Sequence, residues 1–202
     1  MAKIFYKPEI RSKMQRRRKE LGLVSITQAA QAVAAQVVLL KEFLAAQHIG
    51  CYLAIEGELD PMPALLCAHT LKKKLYLPII NPASPDGAES LEFHGYTVGD
   101  PLLKGLHGIS APAHSKQLPR DIAELDLIFL PLVAFDERCN RLGRGAGHYD
   151  RTLNAVNERN GRLPYLVGLA YEFQKIPEIV TDKWDVPMDI VVTEKNIYYR
   201  SA

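Results

Sequence analysis

Short apolar segments that suit buried strands alternate with amphipathic segments that suit helices along most of this chain. Such alternation predicts an α/β fold, in which one central, mostly parallel sheet is flanked by helices on both faces. A chain of 202 residues is long enough for one such domain, which we expect to span residues 1–202. The predicted strands are residues 49–55, 75–80, 91–96, 127–133, 165–169 and 190–192, and the predicted helices are residues 8–20, 63–73 and 148–159, with an apolar helical stripe over residues 26–44.

Two of these segments support more specific predictions. Residues 91–96 alternate only weakly between apolar and polar side chains, and we expect an edge strand there. The stripe over residues 26–44 has apolar side chains at alternating spacings of four and three, and Ser25 and Gln28 resemble a capping box. We therefore expect one core-packing helix that begins near Ser25.

The overall composition excludes several classes of protein. A net charge of +2 does not call for nucleic acid or an anionic membrane as a partner. The three cysteines are widely separated and include no Cys-x-x-Cys pair, so reduced thiols in a cytoplasmic protein are the simplest interpretation. The most apolar run, residues 127–135, is far below the roughly 20 residues of a membrane span. Residues 1–5 also lack the apolar core of a signal peptide.

Four consecutive basic residues, at positions 16–19, are the strongest local charge in the sequence. Such a run most often forms the solvated face of a helix. An RNA-binding module is the alternative, but no aromatic RNA-recognition signature accompanies the run, and the nearly neutral total charge argues against it. We expect no nucleic-acid partner.

A glycine-rich segment, Arg-Leu-Gly-Arg-Gly-Ala-Gly-His-Tyr-Asp at residues 141–150, leads directly into a predicted helix. Glycines let successive backbone N–H groups converge on one point, and a helix N-terminus adds partial positive charge. The Arg144 guanidinium would complete a phosphate cradle, and the Asp150 carboxylate beside it suits Mg²⁺. A plain surface turn is the alternative interpretation of this segment.

The glycine segment does not match the two common phosphate-binding motifs. No Gly-Lys-Ser/Thr closes it, so it is not a Walker A loop, and His148 stands where Gly-x-Gly-x-x-Gly requires its last glycine. The residues alone therefore predict an anion-binding loop with a nearby carboxylate. Because ligands gather beyond the carboxyl ends of parallel strands, this loop and the turn around Glu58 are placed to reach one cleft.

Residues 131–136 and 140–150 together resemble the signature of the 5-formyltetrahydrofolate cyclo-ligases, also called methenyltetrahydrofolate synthetases. The likeness includes Lys7 and Arg11 near the start, residues 49–60 and residues 185–194, and so extends over nearly the whole chain. It implies an enzyme that depends on ATP and Mg²⁺ and converts 5-formyltetrahydrofolate to 5,10-methenyltetrahydrofolate, releasing ADP and phosphate. It also implies a single α/β domain.

The alternative to an enzyme is a non-catalytic folate- or nucleotide-binding regulator on the same fold. For the enzyme, the expected partner is a small-molecule substrate, 5-formyltetrahydrofolate with or without a polyglutamate tail. We expect a monomer or a weak homodimer with no membrane partner.

The resemblance also implies which residues form the site. For Mg²⁺ these are Asp150 and Asp189, for the folate they are Leu53, Glu58, Arg144 and His148, and for ATP they are Lys7, Arg11, Arg141, Leu142, Gly143, Arg144, Gly145, Ala146, Gly147, His148 and Tyr149. Arg144 is the predicted catalytic residue, bridging the transferred phosphoryl group and the formyl oxygen. Glu58 is expected to accept hydrogen bonds from N–H groups of the pterin.

Simpler roles compete with several of these assignments. Glu58 can belong to a solvated turn, Asp189 can begin a strand and pair with an arginine, and Tyr149 suits core and cleft equally. The sequence also departs from the family pattern twice: His148 stands where a tyrosine is usual, and His107 stands where an aromatic residue is frequent. We expect both departures to affect folate affinity more than ATP binding.

Overall fold

A seven-stranded sheet lies at the centre of the computed structural model, which describes residues 6–82, 89–106, 110–112, 118–159 and 161–201. Its strands are β1 (His48–Gly50), β2 (Lys74–Asn81), β3 (Ser90–Tyr96), β6 (Leu127–Pro131), β9 (Tyr165–Leu169), β10 (Ile190–Val192) and β11 (Ile197–Tyr199). Two short hairpins lie beside it, formed by β4 (Leu102–Lys104) with β5 (Ser110–Pro112) and by β7 (Ala134–Phe135) with β8 (Arg141–Leu142). The helices are α1 (Lys7–Lys19), α2 (Leu23–Val37), α3 (Lys41–Ala45), α4 (Met62–Thr70) and α5 (His148–Glu158).

The strand order across the sheet is β11-β10-β9-β6-β1-β2-β3. The inner strands pair in parallel, whereas β3 and β11 pair antiparallel with their neighbours at the two edges. The mostly parallel sheet and the edge position of residues 91–96 are therefore confirmed. Parallel pairing brings the carboxyl ends of β1, β6 and β9 to the same edge of the sheet.

Helices cover both faces of the sheet, as the apolar alternation predicts. On β6, Leu127 and Phe129 pack in one core with residues of α2, α3 and α4, whereas Ile128 and Leu130 pack in another core with residues of α5. All four side chains are fully buried. Burial of each contributes roughly 1.5–3 kcal/mol, so β6 is a central contributor to stability.

The predicted helix over residues 26–44 is wrong as a single element. Helix α2 ends at Val37, a turn follows, and the short α3 begins at Lys41. After the turn Leu40 is still buried, but Leu44, the last residue of the predicted stripe, is exposed, and Phe43 is buried instead. The expected capping box is also absent, because α2 begins at Leu23 after Gly22 with no side-chain cap.

The remaining structural features concern the length of the helices and the state of the cysteines. In the described part of the chain, no helix is both long and apolar enough to cross a membrane. Cys51, Cys67 and Cys139 are free thiols, and Cys51 and Cys139 are buried.

Candidate functional site

A cavity of about 460 Å³ opens beyond the carboxyl ends of β1 and β6, and we call it the cleft. The predicted residues Lys7, Arg11, Leu53, Glu58 and all of residues 141–150 line it. They come from α1, from the turn after β1, and from β8, the first turn of α5 and the segment that joins these two elements. The cleft therefore lies at the edge where ligands of parallel sheets gather.

The glycine segment bends sharply between β8 and α5. Gly145 has φ +116° and Gly147 has φ +71°, and Gly147 is the N-cap of α5. Both φ values lie in the left-handed region that side chains disfavour, so the glycines are required for the bend. Arg11 joins α1 to the segment, because its Nε donates to the Gly143 carbonyl at 2.9 Å.

The buried Arg141 and the partly exposed Asp150 form an ion pair across the base of this bend. Nη2 of Arg141 donates to Oδ1 of Asp150, and the Arg141 side chain is only 4% exposed. The same Asp150 oxygen accepts from the Val186 backbone N–H at 3.3 Å. Nη1 of Arg141 is buried and has no hydrogen-bond partner among the described residues, so it is a donor available to an anion in the cleft.

Tyr149 lies against this pair, with its ring centre 5.8 Å from the Arg141 guanidinium. It both lines the cleft and packs against the apolar core that holds α5. Burial raises the pKa of its hydroxyl well above the ordinary value, so this hydroxyl remains protonated at neutral pH.

Arg144 is the most exposed cation of the glycine segment. Its Nη2 lies 2.7 Å from Oε2 of Glu56, in a turn where Glu56 and Gly57 both have positive φ. The turn approaches α1 closely, since a Cβ on Gly57 would lie 3.2 Å from the Cβ of Arg18. The contact of Glu56 with Arg144 was not predicted, and the glycine after Glu56 was the one sign of the sharp turn that makes it possible.

Glu58 is 5% exposed at the end of the same turn. Its Oε2 accepts from the Ile55 N–H at 3.2 Å, and burial raises the pKa of the carboxyl. The interpretation of Glu58 as part of a solvated turn is therefore wrong. A buried carboxylate that lines a cleft, with one backbone donor, has acceptor capacity left for a ligand.

The basic run at residues 16–19 is mostly exposed, as a solvated helix face predicts, but Arg18 within it is buried. Arg18 is 6% exposed and donates from Nη2 to the Leu132 carbonyl at the end of β6. Arg17 lies 4.4 Å over the ring centre of Phe173 and donates to its carbonyl. Two of the four charges are thus used to dock α1 on the fold.

His148 is the first residue of α5, and its Nε2 lies 2.7 Å from Oε2 of Glu89. The contact joins α5 to the chain just before β3. His107 lies outside the described residues.

Lys7 holds an acidic loop that the sequence did not predict, residues 182–185. Its Nζ lies 2.6 Å from Asp182 and 3.4 Å from Asp185, and the hydrogen bond to Asp182 raises the pKa of Lys7. Asp182, Trp184 and Asp185 all line the cleft, as does Asn154 of α5. The available signal was two aspartates and the only tryptophan in a stretch without strand or helix periodicity.

The structure does not bring Asp189 to the cleft, contrary to the expectation that Asp150 and Asp189 lie at one metal site. Asp189 lies at the amino end of β10, away from the edge that carries the cleft. Its Oδ2 accepts from the Leu166 N–H at 2.9 Å, and its Oδ1 lies 3.0 Å from Nη2 of Arg200. The simpler role, a carboxylate that begins a strand and pairs with an arginine, is the one observed.

A metal ion has no ready-made cage of side chains here. Among residues 6–82, 89–106, 110–112, 118–159 and 161–201, no three His, Cys, Asp or Glu residues are grouped to hold one. Mg²⁺ commonly uses one or two carboxylates together with phosphate oxygens and water. Asp150 and Asp185 both line the cleft, and the N–H of Val186, the residue after Asp185, donates to Asp150. These two carboxylates fit that kind of site.

Together, the parallel sheet and the glycine-lined cleft define an α/β protein with a cationic cleft at the carboxyl edge of its sheet. Comparison with known proteins narrows this class. The model of the 5-formyltetrahydrofolate cyclo-ligase family matches residues 4–194. The chain belongs to this enzyme family.

Individual relatives agree with the family match. The chain is 35% identical to the 5-formyltetrahydrofolate cyclo-ligase of Haemophilus influenzae over 91% of its own length and 96% of the relative's. It is 29% identical to the enzyme of the same name from Escherichia coli K12, over 92% and 98% of the two chains. The solved structure of Aquifex aeolicus 5,10-methenyltetrahydrofolate synthetase superposes with a TM-score of 0.79 at 29% identity, covering 98% of this chain and 94% of that one.

Proposed function

We propose that this protein converts 5-formyltetrahydrofolate to 5,10-methenyltetrahydrofolate in a reaction that depends on ATP and Mg²⁺ and releases ADP and phosphate. Family membership supports the reaction. The observation that carries the proposal for this chain is the cleft itself. It joins Lys7, Arg11, Arg141, Arg144 and a glycine bend to the buried acceptor Glu58.

The reaction needs an activated oxygen more than a protein nucleophile. The formyl group on N5 is an amide, whose carbonyl is a poor electrophile and whose oxygen is a poor leaving group. ATP with Mg²⁺ supplies the phosphoryl group that makes this oxygen a good leaving group, so that the neighbouring N10 amine can close the ring. Catalysis of such a transfer depends mainly on alignment and charge neutralisation.

Cations and backbone amides of the cleft are assigned to the phosphates. Lys7 and Arg11 approach from α1, and the amides of the glycine bend lie at the N-terminus of α5. The unpaired Nη1 of Arg141 supplies a further donor. Asp150 and Asp185 are the carboxylates assigned to Mg²⁺, and Asp189 has no part in this site.

Arg144 is assigned to the reacting oxygen, and Glu58 to the pterin. Arg144 is held by an exposed ion pair with Glu56, and exposed pairs contribute only about 0–1 kcal/mol, so its guanidinium is readily released to a ligand. Glu58 accepts hydrogen bonds from N–H groups of the pterin and so orients the ring. Leu53 and His148 complete the folate wall.

The decisive experiment is turnover by the purified protein. Incubation with 5-formyltetrahydrofolate, ATP and Mg²⁺ is expected to give the methenyl product and one phosphate for each product formed. The product is measured by its absorbance and the phosphate by a phosphate-release assay. Reactions without ATP, and Arg159→Ala as a variant outside the cleft, serve as controls. Binding of both ligands without product would instead indicate a non-catalytic regulator, and absence of binding would exclude both functions.

A further inference from the structure

Trp184 is an exposed aromatic side chain that lines the cleft. It is the only tryptophan of the chain, it lines the cleft, and it is 63% exposed. Large aromatic side chains are usually well buried, because they remove much apolar area from water. An exposed tryptophan at a ligand site is therefore a surface left open for a flat partner.

The position of Trp184 is fixed by contacts of its own backbone and of its neighbours. The Trp184 carbonyl accepts from Nδ2 of Asn154 at 2.8 Å, which attaches the loop to α5. Residues 182–185 close on themselves, since the Asp182 N–H donates to Oδ2 of Asp185 at 2.8 Å. Lys7 attaches both aspartates to α1. The tryptophan is thus presented by a loop bonded on two sides.

All of these contacts lie on the nucleotide side of the cleft. Lys7 belongs to the group assigned to phosphates, Asp150 accepts from the residue after the loop, and Asn154 stands one turn along α5 from Asp150. The buried acceptor for the pterin, Glu58, lies in the turn after β1 and makes none of these contacts. An aromatic surface beside phosphate-binding cations suits the base of a nucleotide.

We infer that Trp184 stacks on the adenine ring of ATP. This inference rests on the proposed function, and it names the residue that binds the base. Stacking on an aromatic side chain is tolerant of ring identity, and loss of one such contact weakens binding by about tenfold. Trp184 therefore contributes to nucleotide affinity without touching the reacting atoms.

Emission of the single tryptophan reports on this contact directly. Titration of the native protein with MgATP, without folate, is expected to change Trp184 emission saturably, at the same concentrations at which equilibrium dialysis detects binding. Inorganic tripolyphosphate with Mg²⁺ carries the phosphates without a ring, and it is expected to bind without the same emission change.

Substitutions separate stacking from any effect on the phosphates. Trp184→Ala is expected to weaken ATP binding by about tenfold and to leave tripolyphosphate binding unchanged. Trp184→Phe keeps an aromatic face and is expected to restore most of the affinity. Tyr199→Ala is the matched control, because Tyr199 is an exposed aromatic on the edge strand β11, outside the cleft lining.

Three results would overturn the inference. The first is unchanged ATP affinity in Trp184→Ala with no emission change in the native protein. The second is equal weakening of ATP and tripolyphosphate, which would mean that the loop acts through the phosphates. The third is a higher KM for 5-formyltetrahydrofolate with unchanged ATP affinity, which would place the folate ring on Trp184. If the native protein does not bind ATP at all, the proposed function is overturned as well. If it binds ATP and turns over, any of the three results overturns only the role of Trp184.

Discussion

Glu56 and Arg144 lie 88 positions apart in sequence, yet Oε2 of Glu56 and Nη2 of Arg144 are 2.7 Å apart in the folded chain. The pair joins the turn that presents Glu58 to the bend that presents the backbone amides. Both side chains are substantially exposed, at 58% and 43%. Their contact therefore orients Arg144 without contributing much to the stability of the fold.

Replacement of Arg144 by alanine is expected to lower kcat by at least about a hundredfold, because a cation aimed at developing charge is lost. The unfolding midpoint in urea should stay close to native, since the lost ion pair is exposed. Turnover and urea unfolding are measured on the same preparation. Arg159→Ala, which breaks a comparably exposed pair with Asp121 away from the cleft, should retain native kcat. A near-native rate for Arg144→Ala would contradict its catalytic assignment.

Substitutions of Asp185 and Asp189 are expected to differ in their effect on the Mg²⁺ dependence of the rate. Asp185→Asn should raise the Mg²⁺ concentration that gives half-maximal rate, because a carboxylate ligand becomes a neutral amide. Asp189→Asn should leave that concentration unchanged and lower the free energy of unfolding by about 1–3 kcal/mol, through weaker bonds to Leu166 and Arg200. Rates over a Mg²⁺ series and urea unfolding test both statements. A shift of the Mg²⁺ midpoint in Asp189→Asn would refute the placement of the metal.

Glu58 is expected to serve binding at a cost in stability. Burial raises its pKa in the folded state, so between the unfolded and the folded pKa the native protein holds a proton that the unfolded chain has released. Stability from this group is present below the ordinary glutamate pKa of about 4.3, and it is lost as pH rises through the higher folded value. At neutral pH, Glu58→Gln should therefore unfold at higher urea concentration than the native protein.

The same Glu58→Gln substitution should raise the KM for the folate by about tenfold or more, because a charged acceptor for the pterin becomes a neutral amide. Folate kinetics and urea unfolding at several pH values give both readouts. Glu137→Gln provides the comparison, since Glu137 is an exposed glutamate paired with Lys175. A Glu58→Gln variant with lower stability and native KM would contradict both statements.

The thiols should differ sharply in reactivity. Burial raises the pKa of Cys51 to about 12 and that of Cys139 to about 11, so neither forms much thiolate at neutral pH. Cys67, which is only partly buried, should account for the fast reaction of the native protein with a thiol reagent. The full count of three should appear in denaturant. Loss of the fast phase in Cys67→Ser checks the assignment, and rapid labelling of Cys51 would contradict it.

Apolar periodicity was sufficient to predict most of the sheet and helix α5. The predicted strand at residues 127–133 is β6, and the predicted helix at residues 148–159 is α5 with one residue fewer. The two-residue strands β7 and β8 were not predicted, because so short a pairing has no period. The continuous helix over residues 26–44 failed because a turn at residues 38–40 follows α2, and after it Phe43 rather than Leu44 is the buried residue.

Side-chain geometry explains what the sequence could not supply at the site. Asp182, Trp184 and Asp185 lie in a loop shaped by aspartate-to-backbone bonds rather than by a repeating pattern. Asp189 was predicted at the metal site, yet the predicted strand at residues 190–192 already argued against this. A residue just before a parallel strand lies at its amino end, whereas ligands bind beyond the carboxyl ends. The burial of Arg18 likewise depends on how α1 docks, which a run of basic residues does not reveal.

Lys7 contacts Asp182 and Asp185, which lie 175 and 178 positions further along the chain. The first helix and the acidic loop near the end of the chain therefore complete the cleft together. A nascent chain that has been synthesised only as far as α5 has the glycine bend but lacks the partners of Lys7. Contacts of such long sequence separation form slowly, since the intervening chain must be ordered first. The cleft proposed to bind the nucleotide is therefore completed late in biosynthesis, after the sheet has most of its strands.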